Sequence, residues 1–123
     1  MTDSNLDVID GTLRFTSSVG GQISSQGKPI EVSVLRATLT PDRQSAVVLL
    51  DWSEMQDNRA HNLIRVDCKG AVLWTAPLPH SSTTDCYTDF DLDSAGLAAS
   101  TWQGYRVPVA LDDGKIQELK FTK

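Results

Sequence analysis

Short runs of β-branched and aromatic residues recur along the chain, and a turn signal follows each run at intervals of roughly 8–12 residues. No window keeps apolar residues at the spacing of an amphipathic helix for more than two turns. The run Ala46–Leu50 is apolar at every position, which a strand tolerates in the middle of a sheet covered on both faces. The chain is therefore predicted to fold as an antiparallel all-β domain.

Local irregularities can also be predicted from these runs. In the segment 31–40 the apolar positions change phase after Val34, so a bulge or bend is expected near Leu35. Asp67-Cys-Lys-Gly70 separates two strand-like runs and predicts a hairpin turn, with Gly70 free to adopt a positive φ. Pro108 cannot donate a backbone hydrogen bond, so its strand is expected at a sheet edge or at a bulge.

The chain contains an internal repeat. An offset of fifty residues aligns Ala46–Trp52 with Gly96–Trp102, and the flanking runs also correspond. Each unit is predicted to be a four-stranded antiparallel meander, over about residues 31–78 and 87–121, and this period is typical of propeller blades. Two blades cannot close a propeller, which needs at least four. We therefore expect one domain, 1–123, in which the two sheets pack as a sandwich completed by N-terminal strands; association of copies is the alternative.

Two segments resemble known families. Asp67-Cys-Lys-Gly70-Ala-Val-Leu-Trp74 resembles the D-x-x-G-x-x-x-W ending of blades in quinoprotein-like propellers. This resemblance implies that Trp74 packs against a neighbouring blade. Trp102-Gln-Gly-Tyr105, Asp112-Asp-Gly-Lys115 and the terminal Phe-Thr-Lys123 resemble a group of short, uncharacterised bacterial proteins. Because two units form no closed ring, no quinone cofactor is expected, nor any other cofactor.

Composition limits the partners and the compartment. Eleven Lys and Arg residues against sixteen Asp and Glu residues give a net charge of -5, which argues against binding to nucleic acid or to an anionic membrane. The segment Met1–Asp10 has no basic or apolar stretch typical of a secretory signal, and no apolar run approaches the roughly 18 residues of a membrane span. Two cysteines indicate a reducing compartment, so a cytoplasmic location is predicted.

An acidic cluster is the most conspicuous candidate site. In an extended strand the side chains of Asp89, Asp91 and Asp93 would share one face with that of Tyr87. A calcium loop needs Gly and Glu where this chain has Ser94 and Ser100, so no metal site is predicted. The cluster is interpreted as a solvated strand face or as a contact surface for a basic partner; its members are Asp85, Asp89, Asp91 and Asp93.

Trp102 and Tyr105 flank a Gln-Gly turn and are a second candidate binding feature. If exposed, they could stack on a sugar or anchor a contact with a protein; the alternative is that Trp102, like its repeat equivalent Trp52, packs in the core. No nucleophile–base motif marks the serines, the cysteines or the two histidines, and their spacing does not suit zinc. No catalytic residue is assigned.

The sequence as a whole favours a non-enzymatic cytoplasmic protein-interaction module, of immunity or regulatory type, whose partner is another protein with a basic surface or a second copy of the chain. The alternative is a small-molecule-binding or hydrolytic protein with a site between the sheets near His80 and Asp85.

Overall fold

The computed structural model describes residues 4–55, 59–79 and 85–117 of the 123-residue chain, and the fold is all-β. Two single-turn 3-10 helices, Pro29–Glu31 and Trp52–Glu54, interrupt the strands. Of the described elements, none is a helix with the length and apolarity to cross a bilayer. The strands are β1 (Ser4–Ile9), β2 (Thr12–Ser17), β3 (Ile23–Gly27), β4 (Val34–Leu39), β5 (Ser45–Leu50), β6 (Arg59–Ala60), β7 (Leu63–Asp67), β8 (Val72–Thr75), β9 (Asp85–Asp93), β10 (Gly96–Thr101) and β11 (Arg106–Val109).

Within the described residues, these strands form three open sheets. The N-terminal sheet has the order β1-β2-β3, the central sheet β4-β5-β7-β8, and the C-terminal sheet β11-β10-β9-β6. All neighbouring strands are antiparallel except β6 and β9, which pair in parallel through Arg59 opposite Asp85 and Ala60 opposite Cys86.

The central sheet is the four-stranded antiparallel sheet predicted for the first repeat. Its pairing register shifts between Val34 and Arg36, so Leu35 lies at an irregularity, as predicted, and its side chain is exposed. The turn between β7 and β8 contains Gly70 with a φ of 90°, which an L-residue rarely adopts. This part of the prediction is confirmed.

The C-terminal sheet departs from the predicted second copy. In it, β9, β10 and β11 are antiparallel neighbours. The strand β11, which contains Pro108, lies at the edge of the sheet as expected. Of the fourth strand expected at the end of the second unit, the described part contains a single bridge between Ile116 and Val109, and residues 118–121 lie outside the described residues. The opposite edge carries the short parallel strand β6, which the repeat did not predict. The expectation of two equivalent four-stranded meanders is thus confirmed for one sheet.

The core lies on both faces of the central sheet, because every residue of β5 is buried. Alternate side chains of a strand point to opposite faces. Val47 and Leu49 belong to one apolar cluster, with residues from β9, β10 and β11. Ala46, Val48 and Leu50 belong to a second cluster, with residues from β2. The central sheet is therefore the middle layer between the other two sheets, and the prediction for Ala46–Leu50 is confirmed.

The N-terminal sheet begins with a hairpin that the sequence analysis did not include. Asp10 and Gly11 have φ values of 50° and 76°, as in a type I′ turn, and Ile9 pairs with Thr12 across it. The Gly11 carbonyl accepts a hydrogen bond from Val34 N–H at 2.8 Å, which joins the hairpin to β4. The Asp-Gly dipeptide after Val8 and Ile9 was the signal for this hairpin.

Trp74 joins the central sheet to the C-terminal sheet. Its side chain is buried, and its Nε1–H donates to the Leu111 carbonyl at 2.7 Å. The ring packs so closely on Gly114 that a Cβ there would lie 2.5 Å from two ring atoms. Trp74 therefore packs between the central sheet and the segment that follows β11.

Candidate functional site

The beginning of β9 contains a bulge that determines where its side chains lie. Asp89 pairs with Ser100 while Tyr87 pairs with Thr101, so Thr88 is an extra residue on β9. The bulge turns Tyr87 into the core, where it is fully buried. The prediction that Tyr87 shares a face with the aspartates is therefore wrong, because strict alternation fails at this bulge.

Tyr87 is held in the core by hydrogen bonds at both ends. Its backbone N–H donates to Asn62 Oδ1 at 2.8 Å, and its carbonyl accepts from Asn62 Nδ2 at 2.8 Å. Its hydroxyl donates to the carbonyl of Pro77. Burial, and next the charge of Asp85, raise the pKa of the Tyr87 phenol, so it stays protonated. Asn62 also donates to the Leu50 carbonyl at 3.0 Å and so fastens β9 to the central sheet.

Asp85 is buried rather than part of an exposed acidic face, with a relative exposure of 2%. Its Oδ1 accepts hydrogen bonds from the backbone N–H groups of Cys86, at 2.9 Å, and Gln103, at 3.1 Å. Its Oδ2 is buried without a hydrogen-bond partner among the described residues. Burial, and next the charge of Asp85, raise the pKa of the adjacent Cys86 thiol. Asp85 therefore connects the start of β9 to the turn after β10.

That turn presents Trp102 to solvent. Trp102 is 71% exposed, and the backbone N–H of Trp102 donates to the Cys86 carbonyl at 2.9 Å. Thr101 and Tyr105 close the turn, since Thr101 N–H donates to the Tyr105 carbonyl at 2.9 Å and Tyr105 N–H donates to Thr101 Oγ1 at 3.1 Å. The backbone of this turn is thus fixed by hydrogen bonds within the turn and to Asp85 and Cys86 of β9.

The core interpretation of the two repeat-equivalent tryptophans is wrong. Trp52 is 50% exposed and Trp102 is more so. Each lies just past the end of a strand, where the chain leaves the sheet and the alternation of the strand no longer directs the side chain inward. Tyr105 differs from them: it is partly buried and packs against the cluster between the central and C-terminal sheets.

The exposed carboxylates of β9 are matched by arginines. Arg36, from β4, bonds Asp89 Oδ1 at 2.5 Å and lies 4.7 Å from the centroid of the Phe90 ring. Arg106 bonds Asp91 Oδ2 at 2.5 Å. The hydrogen bond from the Phe90 backbone N–H contributes most to lowering the pKa of Asp89, and the hydrogen bond from Arg36 lowers it further. This surface therefore has mixed charge, which the acidic pattern alone did not predict.

The remaining candidates are placed apart from this surface or outside the structure. Asp93 is exposed, and its Oδ1 accepts the Ala95 N–H within the β9–β10 turn at 2.8 Å. His80 lies outside the described residues, and His61 is partly buried between β6 and β7. In the part of the chain that the structure describes, no three His, Cys, Asp or Glu side chains converge as metal ligands.

The structure thus brings Asp85, Cys86 and the Trp102 turn together, with Asp89 and Asp91 further along the same sheet. No curated protein and no solved structure matches this chain. A family model described as a domain of unknown function, DUF7957, matches residues 34–121, which include β4 to β11 and all of the sites described above. The chain belongs to this DUF7957 family.

Proposed function

We propose that this chain is a non-enzymatic protein-interaction module of the cytoplasm that binds its partner through Trp102 and the neighbouring charged surface of β9. The observation that carries the proposal is the 71% exposure of an indole on a turn fixed by hydrogen bonds. Tryptophan is among the residues that contribute most to protein interfaces. A turn whose backbone is already fixed loses less conformational entropy on binding than a mobile one.

The charged surface of β9 supports a partner with basic groups. The Asp89 and Asp91 side chains keep relative exposures of 60% and 59% despite their arginine contacts. Asp89 Oδ2 and Asp91 Oδ1 make no hydrogen bond to a described residue. Each carboxylate can therefore accept a further bond from a partner lysine or arginine. A pocket for an indole with basic groups on one side is the complementary surface, on an immunity target, a regulated protein or a second copy of the chain.

The cytoplasmic assignment is supported by the cysteines. Cys68 and Cys86 are both free thiols in the structure. Free thiols are typical of reducing compartments, where disulfides do not persist.

The experiment compares two exposed tryptophans. The full chain, Trp102→Ala and Trp52→Ala are used as baits in lysate of the source cells, and captured proteins are identified by mass spectrometry. A protein captured by the full chain and by Trp52→Ala is then purified, and its affinity for each variant is measured by calorimetry. We expect Trp102→Ala to weaken binding by about thirtyfold, the effect of losing a dominant interface residue of about 2 kcal/mol.

Salt gives a second readout for the same complex. If the carboxylates of β9 contribute, the affinity falls as ionic strength rises, because contacts between exposed charges are screened. A partner that binds all three proteins equally contradicts the proposal. Light scattering of the chain alone distinguishes binding to a different protein from self-association.

A second candidate function, a hydrolytic or small-molecule site, rests on Asp85. Its Oδ2 is buried without a hydrogen-bond partner among the described residues, and such an atom can accept a hydrogen bond from a bound molecule. Asp85→Asn keeps an oxygen acceptor for the two backbone N–H groups, so the fold is expected to persist. Turnover of p-nitrophenyl acetate or p-nitrophenyl phosphate by the full chain that is lost in Asp85→Asn would favour this function, and equal rates for both proteins would exclude it.

A further inference from the structure

A cavity of about 230 Å³ opens between the N-terminal sheet and the turn that joins β7 to β8. Leu13 of β2 and Val66 of β7, both buried, contribute its apolar floor. Lys28, just after β3, and Lys69, in the β7–β8 turn, also line it. The cavity is smaller than the roughly 300–1,000 Å³ of sites for drug-sized ligands, so it suits a small molecule.

The lysines of the cavity differ from the arginines in their contacts. The arginines whose side chains are described each donate to another protein group. By contrast, neither Lys28 nor Lys69 has an ion pair or a side-chain hydrogen bond to a described residue. The cavity is thus lined by two cations without a hydrogen-bonded partner among the described residues, in a chain whose net charge is -5.

Two acids close to these lysines accept backbone hydrogen bonds. Asp67 Oδ1 accepts the backbone N–H groups of Lys69 and Ala71, both at 2.9 Å. Glu54 Oε1 accepts the backbone N–H of Ser33 at 3.0 Å. These bonds hold one oxygen of each carboxylate in a local turn, and neither carboxylate forms an ion pair with Lys28 or Lys69 among the described residues, although the charge of Lys28 acts on Glu54.

The polar side chains of the cavity are donors. Gln26 Oε1 accepts a hydrogen bond from Arg14 Nε at 3.2 Å, which leaves its NH₂ group to donate. Ser25 adds a hydroxyl. Donors and cations above an apolar floor are complementary to an anion that carries a short apolar group.

We propose that this cavity binds a small organic anion, a carboxylate or a phosphate monoester on a short apolar chain. The anionic group lies between Lys28 and Lys69, and the apolar chain lies against Leu13 and Val66. This site is independent of the proposed protein interaction, because it lies on the N-terminal side of the central sheet and Trp102 lies in the C-terminal sheet.

The test is a titration of the full, isotopically labelled chain, followed by amide NMR. The ligands are hexanoate, hexyl phosphate and hexanol. We expect at least one of the two anions to shift the amide signals of Gln26–Lys28, Lys69 and Gly70 in a saturable way, and hexanol to bind more weakly than that anion. The tighter anion identifies the preferred group.

Matched variants connect the shifts to the lysines. Replacing both, Lys28→Gln with Lys69→Gln, should weaken binding by about tenfold, the combined effect of two partly exposed charge contacts. Lys115→Gln, an exposed lysine away from the cavity, and Trp102→Ala should bind as the unmodified chain does. Absence of saturable shifts with both anions, equal affinity of the double variant, or hexanol binding as tightly as the anions would overturn the proposal.

Discussion

Replacement of Gly114 by alanine tests the contact that joins the central and C-terminal sheets. Gly114 is buried with a φ of 77°, and a Cβ there would lie 2.5 Å from Cδ2 and Cε3 of Trp74 and 2.9 Å from Cγ. The ring cannot retreat easily, because Trp74 is buried and its Nε1–H is bonded to the Leu111 carbonyl. A side chain at positive φ costs about 1 kcal/mol, and overpacking adds about 1–3 kcal/mol. The expected loss in free energy of unfolding is therefore about 2–4 kcal/mol.

Gly104→Ala is the matched control for the backbone term. Gly104 has a φ of 96°, but no atom lies within 4 Å of its added Cβ. Urea unfolding followed by circular dichroism gives the free energy of unfolding of both variants, provided that their m-values agree. The difference between the two losses isolates the collision with Trp74. If the losses agree within about 0.5 kcal/mol, the close packing of Trp74 on Gly114 is refuted.

Three further predictions concern buried polar groups and acids. Asn62→Ala leaves buried main-chain groups of β9 without partners, so urea unfolding should show a loss of about 2–4 kcal/mol; a loss below about 0.5 kcal/mol would contradict it. The Thr40 hydroxyl bond is the largest cause lowering the pKa of Asp42 from 3.8. The stabilisation contributed by the ionised Asp42 carboxylate is therefore complete at neutral pH and is lost as the pH falls below about 4. The free energy of unfolding of Asp42→Asn, measured by urea unfolding, should therefore depend less on pH in this acidic range than that of the unmodified chain. Burial, and next the charge of Asp85, raise the pKa of the Cys86 thiol, so iodoacetamide should modify Cys68 first at neutral pH, and equal rates would contradict this.

Features that depend on neighbouring residues were predictable from the sequence. The continuous apolar run Ala46–Leu50 predicted a strand covered on both faces, because no exposed face can be built from it. The phase change after Val34 predicted the irregularity at Leu35 for a similarly local reason. The Asp10-Gly11 turn carried an equally local signal, so β1 was predictable although it was not predicted.

Features that depend on distant residues were not predictable. The exposed positions of Asp89 and Asp91 follow from alternation, but their partners Arg36 and Arg106 are identified only by the arrangement of the sheets, since Arg36 and Asp89 are 53 positions apart. The bulge at Thr88 depends on the register between β9 and β10. A sequence pattern therefore predicts which residues of a strand can share a face and leaves the charge of that face undetermined.

The layer order limits how the two proposed sites can influence each other. Both faces of the central sheet are covered, so ligands reach the protein at the outer sheets and at the turns, as at Trp102 and at the cavity near Lys69. Between them lies β5, which is buried throughout, and packed interiors transmit a change between sites only where two discrete arrangements exist. No residue that lines the cavity belongs to β9, β10 or the Trp102 turn, so we expect saturation of the cavity with its anion to leave the affinity of the Trp102 surface unchanged. By reciprocity, a change in either affinity would reveal a second packing of the central sheet.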